Sequence, residues 1–271
     1  MSFLLRAVRR LATVPLVRKL TSVTPLLRLS YSLRATLVQE RARFVRNELR
    51  RGPVTGTYHL RESGIGVAIR HHTGDVMVLD EIFSQREYEP PPGIDLRDVG
   101  RAVDLGANIG LFGAWLLGRC REAEVVAYEA DPANAAVHRL TIEVNGLEDR
   151  WRLVEAFAAT QDGTTSFTTG LHAVSHEGEG MEVRVVDVLP YLADADLVKV
   201  DIEGAEWPIL ADSRFRELQA RLVVLEYHAE GSPQLDAAAA AGQALTDAGY
   251  EVHHAVHKPA FGAGLLWGVR R

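Results

Sequence analysis

From residue 102 onward, short apolar runs alternate with stretches of helical spacing, and this alternation limits the possible folds more than any other feature of the chain. Ala102–Leu105 is followed by the helical stretch Leu111–Leu117. Val125–Tyr128 precedes Pro132–Val144, where Pro132 suits a first helical turn and Asp131 its cap. Trp151–Phe157 reads as a third strand and is followed by an irregular piece. Leu197–Val200 precedes a helix near Ala205–Leu218. Leu222–Tyr227 precedes the Ala-rich Leu235–Ala248, closed by Gly249. Glu251–Val256 and Gly264–Val269 have no helix between them. Units of about 25 residues with crossover helices predict parallel strands, hence an α/β fold with a doubly wound, mostly parallel, seven-stranded sheet of Rossmann-like type. The last two strands should close one edge as a hairpin. A strand order of 3-2-1-4-5 places the fourth strand between the first and the fifth.

In such sheets ligands bind beyond the carboxyl ends of the strands. The first strand ends Asp104-Leu-Gly106-Ala-Asn108-Ile-Gly110. A dinucleotide fingerprint needs G-x-G-x-x-G. Here Asn108 replaces the second glycine, and Gly110 comes one position early. An acid at Asp104 sits badly beside a phosphate but suits an ammonium group. The second strand ends Tyr128-Glu129-Ala130-Asp131, and Glu129 is placed to accept both hydroxyls of a ribose. Ribose plus ammonium, without pyrophosphate, describes S-adenosylmethionine. The predicted cofactor contacts are Asp104, Gly106, Asn108, Gly110, Glu129 and Asp201.

The fourth strand ends Lys199-Val-Asp201-Ile-Glu203-Gly204-Ala-Glu206, and the fifth ends Glu226-Tyr227-His228. Like charges this close repel, so the cluster needs a reason. Glu206 fits the start of a helix, where acids meet the dipole. Asp201 ends an apolar strand and does not. The topology brings Asp201, Glu226 and His228 beside the Asp104–Gly110 turn.

These segments carry a resemblance. Val103-Asp-Leu-Gly-Ala-Asn-Ile-Gly110, Tyr128-Glu-Ala-Asp-Pro132, Val198-Lys-Val-Asp-Ile-Glu-Gly-Ala-Glu206 and Leu225-Glu-Tyr-His228 together resemble the FkbM-type S-adenosylmethionine-dependent methyltransferases. The similarity spans about residues 75–228, and Asp-Ile-Glu-Gly-Ala-Glu is its most specific part. It implies a class I methyltransferase fold over residues 101–271 and O-methylation of a hydroxyl on a sugar, glycolipid or natural product. Ala130 stands where the family more often has proline. Ala156-Phe157-Ala158 offers the adenine no side-chain acid, leaving backbone groups or Phe157 packing.

A hydroxyl needs a base or a metal to become a nucleophile. His228 is the expected base, with Asp201 and Glu226 orienting it. A divalent metal on the same three residues is the less favoured version. Two other readings compete: a nicotinamide-dependent oxidoreductase, disfavoured by the missing glycine, and a non-catalytic binding module, disfavoured by the intact acids and His228. His71-His72 and His253-His254 are expected at the surface or in turns. Cys120 is expected to be a buried apolar residue. Tyr88 is placed to cover the donor, since aromatic faces attract a sulfonium. Phe83 is expected in the core.

Upstream of the alternation, residues 52–100 read as a small strand-and-turn region, with Ile65–Arg70 and Asp75–Leu79 as strands around a turn at His72–Gly74. Residues 1–51 read as a basic helical extension. They hold twelve Lys or Arg and two acids, a net +10; the chain's −6 leaves −16 for the other 220 residues. So acidic a body excludes a nucleic-acid partner. The first 39 residues hold no acid, and arginines interrupt every apolar run, which excludes a membrane span. The extension can be a helical cap, a helix on an anionic membrane or an import presequence. No secretory signal stands out. The single cysteine excludes an intramolecular disulfide and points to a reducing, cytoplasmic setting, with peripheral membrane contact through residues 1–51 as an option.

Overall fold

The structure is a computed structural model that describes residues 32–168, 176–177, 181–258 and 261–270. The expected helices of residues 1–31, and the turn residues Pro259 and Ala260, lie outside the described residues. Helix α1 (Arg41–Leu49) leads to a hairpin of β1 (Val54–His59) and β2 (Gly66–His71), then to α2 (Asp75–Phe83). The central elements are β3 (Arg101–Leu105), α3 (Leu111–Leu117), β4 (Glu124–Glu129), α4 (Pro132–Glu143) and β5 (Trp151–Glu155). An insertion follows: β6 (Phe157–Ala159), β7 (Gly163–Thr168), β8 (His176–Glu177) and β9 (Met181–Asp187). Helix α5 (Leu189–Leu192), β10 (Leu197–Val200), α6 (Glu206–Ala211), α7 (Ser213–Arg216), β11 (Leu222–His228), α8 (Ala237–Asp247), β12 (Glu251–Lys258) and β13 (Ala263–Val269) complete the order.

The main sheet has seven strands in the order β12-β13-β11-β10-β3-β4-β5. Strands β3, β4, β5, β10 and β11 are parallel. The β12–β13 hairpin is antiparallel and closes one edge. The expected order therefore holds, with β10 between β3 and β11. Alternate strand residues feed two cores, as strand pleating requires. Ala102, Val125, Trp151 and Leu222 pack with the hairpin, α2 and α3. Val103, Leu105, Val198, Val200 and Val223 pack with α6 and α8 on the other face.

Three expectations change. Asp75–Leu79 is helical: Val76, Leu79 and Ile82 are buried at helical spacing, and Asp75 accepts from the backbone and side chain of Arg70. A run of five residues is too short for its period to be read. The third strand stops at Glu155, and Phe157 begins a second, four-stranded sheet, β6-β9-β7-β8. The helix near Ala205–Leu218 splits at Asp212, which turns extended and caps α7 by accepting from the Arg214 amide. His71 is also misplaced by the sequence. It is fully buried, 2.6 Å from both Glu48 and the Tyr58 hydroxyl, a network that pins α1 to the hairpin. Cys120 is buried, as expected. No helix among the described residues is long and apolar enough to cross a membrane.

Candidate active site

Register builds the part of the site between β3 and β10. Lys199 and Asp104 are direct partners on neighbouring strands β10 and β3. Both side chains are buried, with the ammonium 2.9 Å from Asp104 Oδ1 and 3.5 Å from Asp201 Oδ2. Lys199 also donates to the carbonyl of Gly106 at 3.0 Å. Burial alone would lower the Lys199 pKa, but the Asp104 and Asp201 charges raise it, so it stays charged. Burial raises Asp104, against the pull of Lys199. The expectation that Asp104 meets a ligand's ammonium is thereby revised: the ammonium it meets is that of Lys199.

The glycines of the turn are required by the chain itself. A Cβ on Gly106 would lie 1.7 Å from the Asp201 carbonyl oxygen, and one on Gly110 would lie 2.5 Å from the His138 ring. Both have positive φ, at 76° and 86°, where glycine is at ease. Asn108 also has positive φ, 50°, and its Oδ1 is buried with no hydrogen-bond partner among the described residues.

Glu129 faces this turn from the end of β4. Its Oε2 accepts from the Asn108 amide at 2.7 Å and its Oε1 from the Asp131 amide at 2.8 Å. Burial is the largest influence on its carboxyl and pushes the pKa up to about 7. Oε1 also accepts from Asn134 Nδ2 at 3.5 Å, so it is Oε2 that keeps a lone pair for a further donor.

The part of the site at the ends of β10 and β11 is crowded with carboxylates. His228 Nδ1 lies 3.2 Å from Glu206 Oε1, which also accepts the His228 amide at 2.8 Å. Its Nε2 lies 3.4 Å from Glu203 Oε2. Burial pulls the imidazole pKa down, but the Glu206 bond and the charges of Asp201, Glu203 and Glu206 outweigh it and raise it to about 9. Glu203 is raised to about 8 by burial and by Asp201. It sits at φ 53°, a conformation side chains rarely adopt. His228, the expected base, therefore carries a proton at neutral pH.

The expected trio shares one site, but its members have different partners. Asp201 and His228 converge, but Glu226 turns to Lys258, 3.2 Å away. Lys258 also lies 2.7 Å from Glu87. The Tyr88 hydroxyl lies 3.3 Å from Asp201 Oδ2 and 3.2 Å from Glu226 Oε2, and its ring packs on Phe112. Asp201, Glu203 and His228 each present a ligand atom within 4.8 Å of the others, a donor set that can hold a divalent cation. Sequence reasoning missed Glu203 and Glu206 as partners of His228, although the Glu-Gly-Ala-Glu spacing marked both. It also missed Lys199, Lys258 and Glu87; only the Lys199–Asp104 pair had a signal, an opposite charge on adjacent strands.

The sequence matches the methyltransferase FkbM domain over residues 104–252, more than half of the chain. The chain belongs to the FkbM methyltransferase family. Membership implies S-adenosylmethionine as the methyl donor. Among similar solved structures is a methyltransferase FkbM from Methylobacillus flagellatus, 15% identical, covering 95% of this chain and 60% of that one, with a TM-score of 0.49. A precorrin-6y C5,15-methyltransferase from Geobacter metallireducens is 18% identical over 64% of this chain and 81% of that one, TM-score 0.42. The O-methyltransferase TomG from Streptomyces achromogenes, solved with S-adenosylmethionine, is 16% identical over 65% of this chain and 75% of that one, TM-score 0.41. No curated protein sequence matches the chain.

Proposed function

We propose that this methyltransferase acts on a hydroxyl oxygen of a neutral, polyhydroxylated acceptor such as a sugar or glycolipid. The observation that carries the reading is the set of carboxylates, Asp201, Glu203 and Glu226, around His228 and Tyr88 at the carboxyl ends of β10 and β11. Carboxylates accept hydrogen bonds from several hydroxyls at once and repel anionic acceptors.

The donor fits the other half of the site. Glu129, whose Oε2 keeps a lone pair beyond the Asn108 amide, suits a hydroxyl of a vicinal diol. The orphaned Asn108 Oδ1 offers a further acceptor at the turn. Asp104 acts through Lys199, which holds the Gly106 carbonyl and Asp201 in place. The bound donor supplies an electrophilic methyl group, and methyl transfer is an in-line displacement, so alignment is the main demand on the protein.

The acceptor's proton must leave. At rest it faces a protonated imidazole whose Nε2 lies 3.4 Å from Glu203 Oε2. Loss of one proton from that pair yields a base at Nε2 or at the neighbouring carboxylate, and Glu206 keeps the ring oriented through Nδ1. A base with a pKa near the working pH is the effective kind. A second reading uses Asp201, Glu203 and His228 as ligands of a divalent cation that lowers the hydroxyl's pKa instead.

The test is a screen of glycans and glycolipids with labelled donor, read as S-adenosylhomocysteine formed and label on oxygen. Label on nitrogen or carbon of the preferred acceptor would overturn the reading. Loss of turnover with chelator, restored by Mg²⁺ or Mn²⁺, selects the second version; turnover unchanged by chelator selects the first.

A further inference from the structure

Helix α1 has two faces of different character. Phe44, Asn47 and Glu48 are buried, the last two bonded to Tyr58 and His71. On the outer side Ala42, Val45 and Leu49 line an open groove with Arg41, Arg46 and Arg50, and Ser32 and Ala35 of the preceding segment form its other wall. Leu49 is 54% exposed. The spacing of residues 42, 45 and 49 makes one apolar stripe, and the arginines flank it. An apolar stripe bordered by arginines is the composition of a helix that lies in a membrane interface.

The charge of the whole chain points the same way. The 51-residue N-terminal part carries +10 and the remainder −16. An anionic surface attracts the first and repels the second, so it would orient the molecule with α1 inward. The C-terminal turn of α1 is also tied to the site. Glu48 bonds His71; the adjacent Arg70 donates to Asn134 Oδ1 at 2.6 Å; Asn134 Nδ2 lies 3.5 Å from Glu129. The last turn of α1 thus reaches the end of the sheet where the strands finish, while its first turn is held at the other end of the hairpin by Glu40 and His59.

We propose that the outer face of α1 docks on an anionic phospholipid surface. The docking stands on α1 itself; only its use, delivery of a lipid-anchored acceptor, rests on the transferase reading above. Arginines contribute through Coulomb attraction, and Leu49 and Val45 through burial among headgroups.

The experiment is sedimentation of the full chain with phosphatidylcholine vesicles containing phosphatidylglycerol, and with phosphatidylcholine alone. Vesicle binding is read without acceptor or methyl transfer, so its failure is distinct from failure of the transferase reading. The chain should bind the anionic vesicles at low salt, bind neutral ones weakly, and be released as salt screens the attraction. Each basic residue at such a surface contributes a factor of about five, so R46Q/R50Q should weaken partitioning about 25-fold. L49D should weaken it without changing net basic charge on the helix by more than one. The melting temperatures of these variants should stay near wild type, because all three side chains are exposed. No binding to anionic vesicles at low salt would overturn the proposal. So would equal binding by wild type and R46Q/R50Q, which would assign attraction to residues 1–31. A dimer that forms without lipid and is lost in R46Q/R50Q would also overturn it, with the acidic body of a second copy as the occupant.

Discussion

The two halves of the site solve the problem of buried charge in opposite ways. On the donor side, Lys199 and Asp104 are register partners that neutralise each other, and Glu129 is held by two backbone amides. On the acceptor side, Asp201, Glu203, Glu206 and Glu226 crowd around one imidazole, Lys258 and a tyrosine hydroxyl. The first arrangement is fixed before any ligand arrives. The second holds an excess of negative charge, keeps protons to relieve it, and carries Glu203 at an uncommon backbone angle. Fixed geometry suits recognition of one invariant donor, whereas a site that holds and releases a proton suits chemistry.

Breaking the donor-side pair should produce the largest effect. Lys199→Met leaves Asp104 buried without its cation and deprives Asp201 of a neighbouring charge. Removing one partner of a buried ion pair typically costs about 3–5 kcal/mol. Denaturant unfolding should show a loss of that size, and the double variant Asp104→Leu with Lys199→Met should recover part of it. A K199M protein as stable as wild type would show that the pair is no more than incidental to the fold.

The acceptor side should instead lose rate. His228→Ala should lower kcat by about 10²-fold or more with donor affinity nearly unchanged, because positioned acid–base groups contribute about 10²–10⁴. The pH profile sharpens this. The His228 pKa is raised to about 9 and that of Glu203 to about 8, so the proton must be removed in that range before the pair can act as base. The rate should rise from pH 7 and level off near pH 9, and the Glu203→Gln variant should shift that limb. A limb near 6.5, the value of an ordinary histidine, would contradict the charge account. The same shifts bear on stability. Both groups are raised in the folded state, so the stability they add is present at low pH and lost as pH rises through 8 to 9. The melting temperature should fall between pH 7 and 9.5, and less steeply in Glu203→Gln.

The contrast between the halves was only partly legible in the residues. Strand ends, strand order and the edge hairpin followed from alternating patterns, which are local and strong. Glu129 and the two glycines stood at strand ends for the same reason, although Gly106 and Gly110 are demanded by Asp201 and His138 more than by any ligand. Roles that depend on contacts between distant segments were not legible. Lys258 reaches Glu87 across most of the chain, and nothing near either residue marks the pair. His71 reads as a turn residue but is buried because Glu48 and Tyr58 satisfy both its nitrogens. The insertion of β6 to β9 shows no clear period, and Asp75 misled because five residues fit strand and helix equally.

A smaller change on the donor side should leave the fold intact. Glu129→Ala removes the acceptor of two backbone amides and, on the proposed reading, of the donor's diol. Calorimetry should show S-adenosylhomocysteine binding weakened by about 1.5–3 kcal/mol, the range for hydrogen bonds to a charged group. Unchanged affinity would remove Glu129 from recognition and leave it only the task of holding Asn108 and Asp131.

Tyr88 stands where the two halves meet, and the mildest variant tests which half it serves. Its hydroxyl lies within reach of Asp201 and Glu226 while its ring packs against Phe112. Burial, and then the charges of Asp201 and Glu226, raise its pKa well above the ordinary value, so it remains a hydrogen-bond donor throughout the working pH range. Tyr88→Phe keeps the ring and removes only that donor. Asp201 and Glu226 then lose a group that tempers their repulsion, and the site should hold its protons more tightly. The expected result is a rate reduced less than about tenfold, with the ascending limb of the pH profile moved to higher pH and donor affinity preserved. If Tyr88→Phe instead lost donor affinity as Glu129→Ala does, with its pH profile unmoved, Tyr88 would belong to the donor side. Its hydroxyl contacts with Asp201 and Glu226 would then serve to aim the ring at the donor rather than to balance charge at the acceptor.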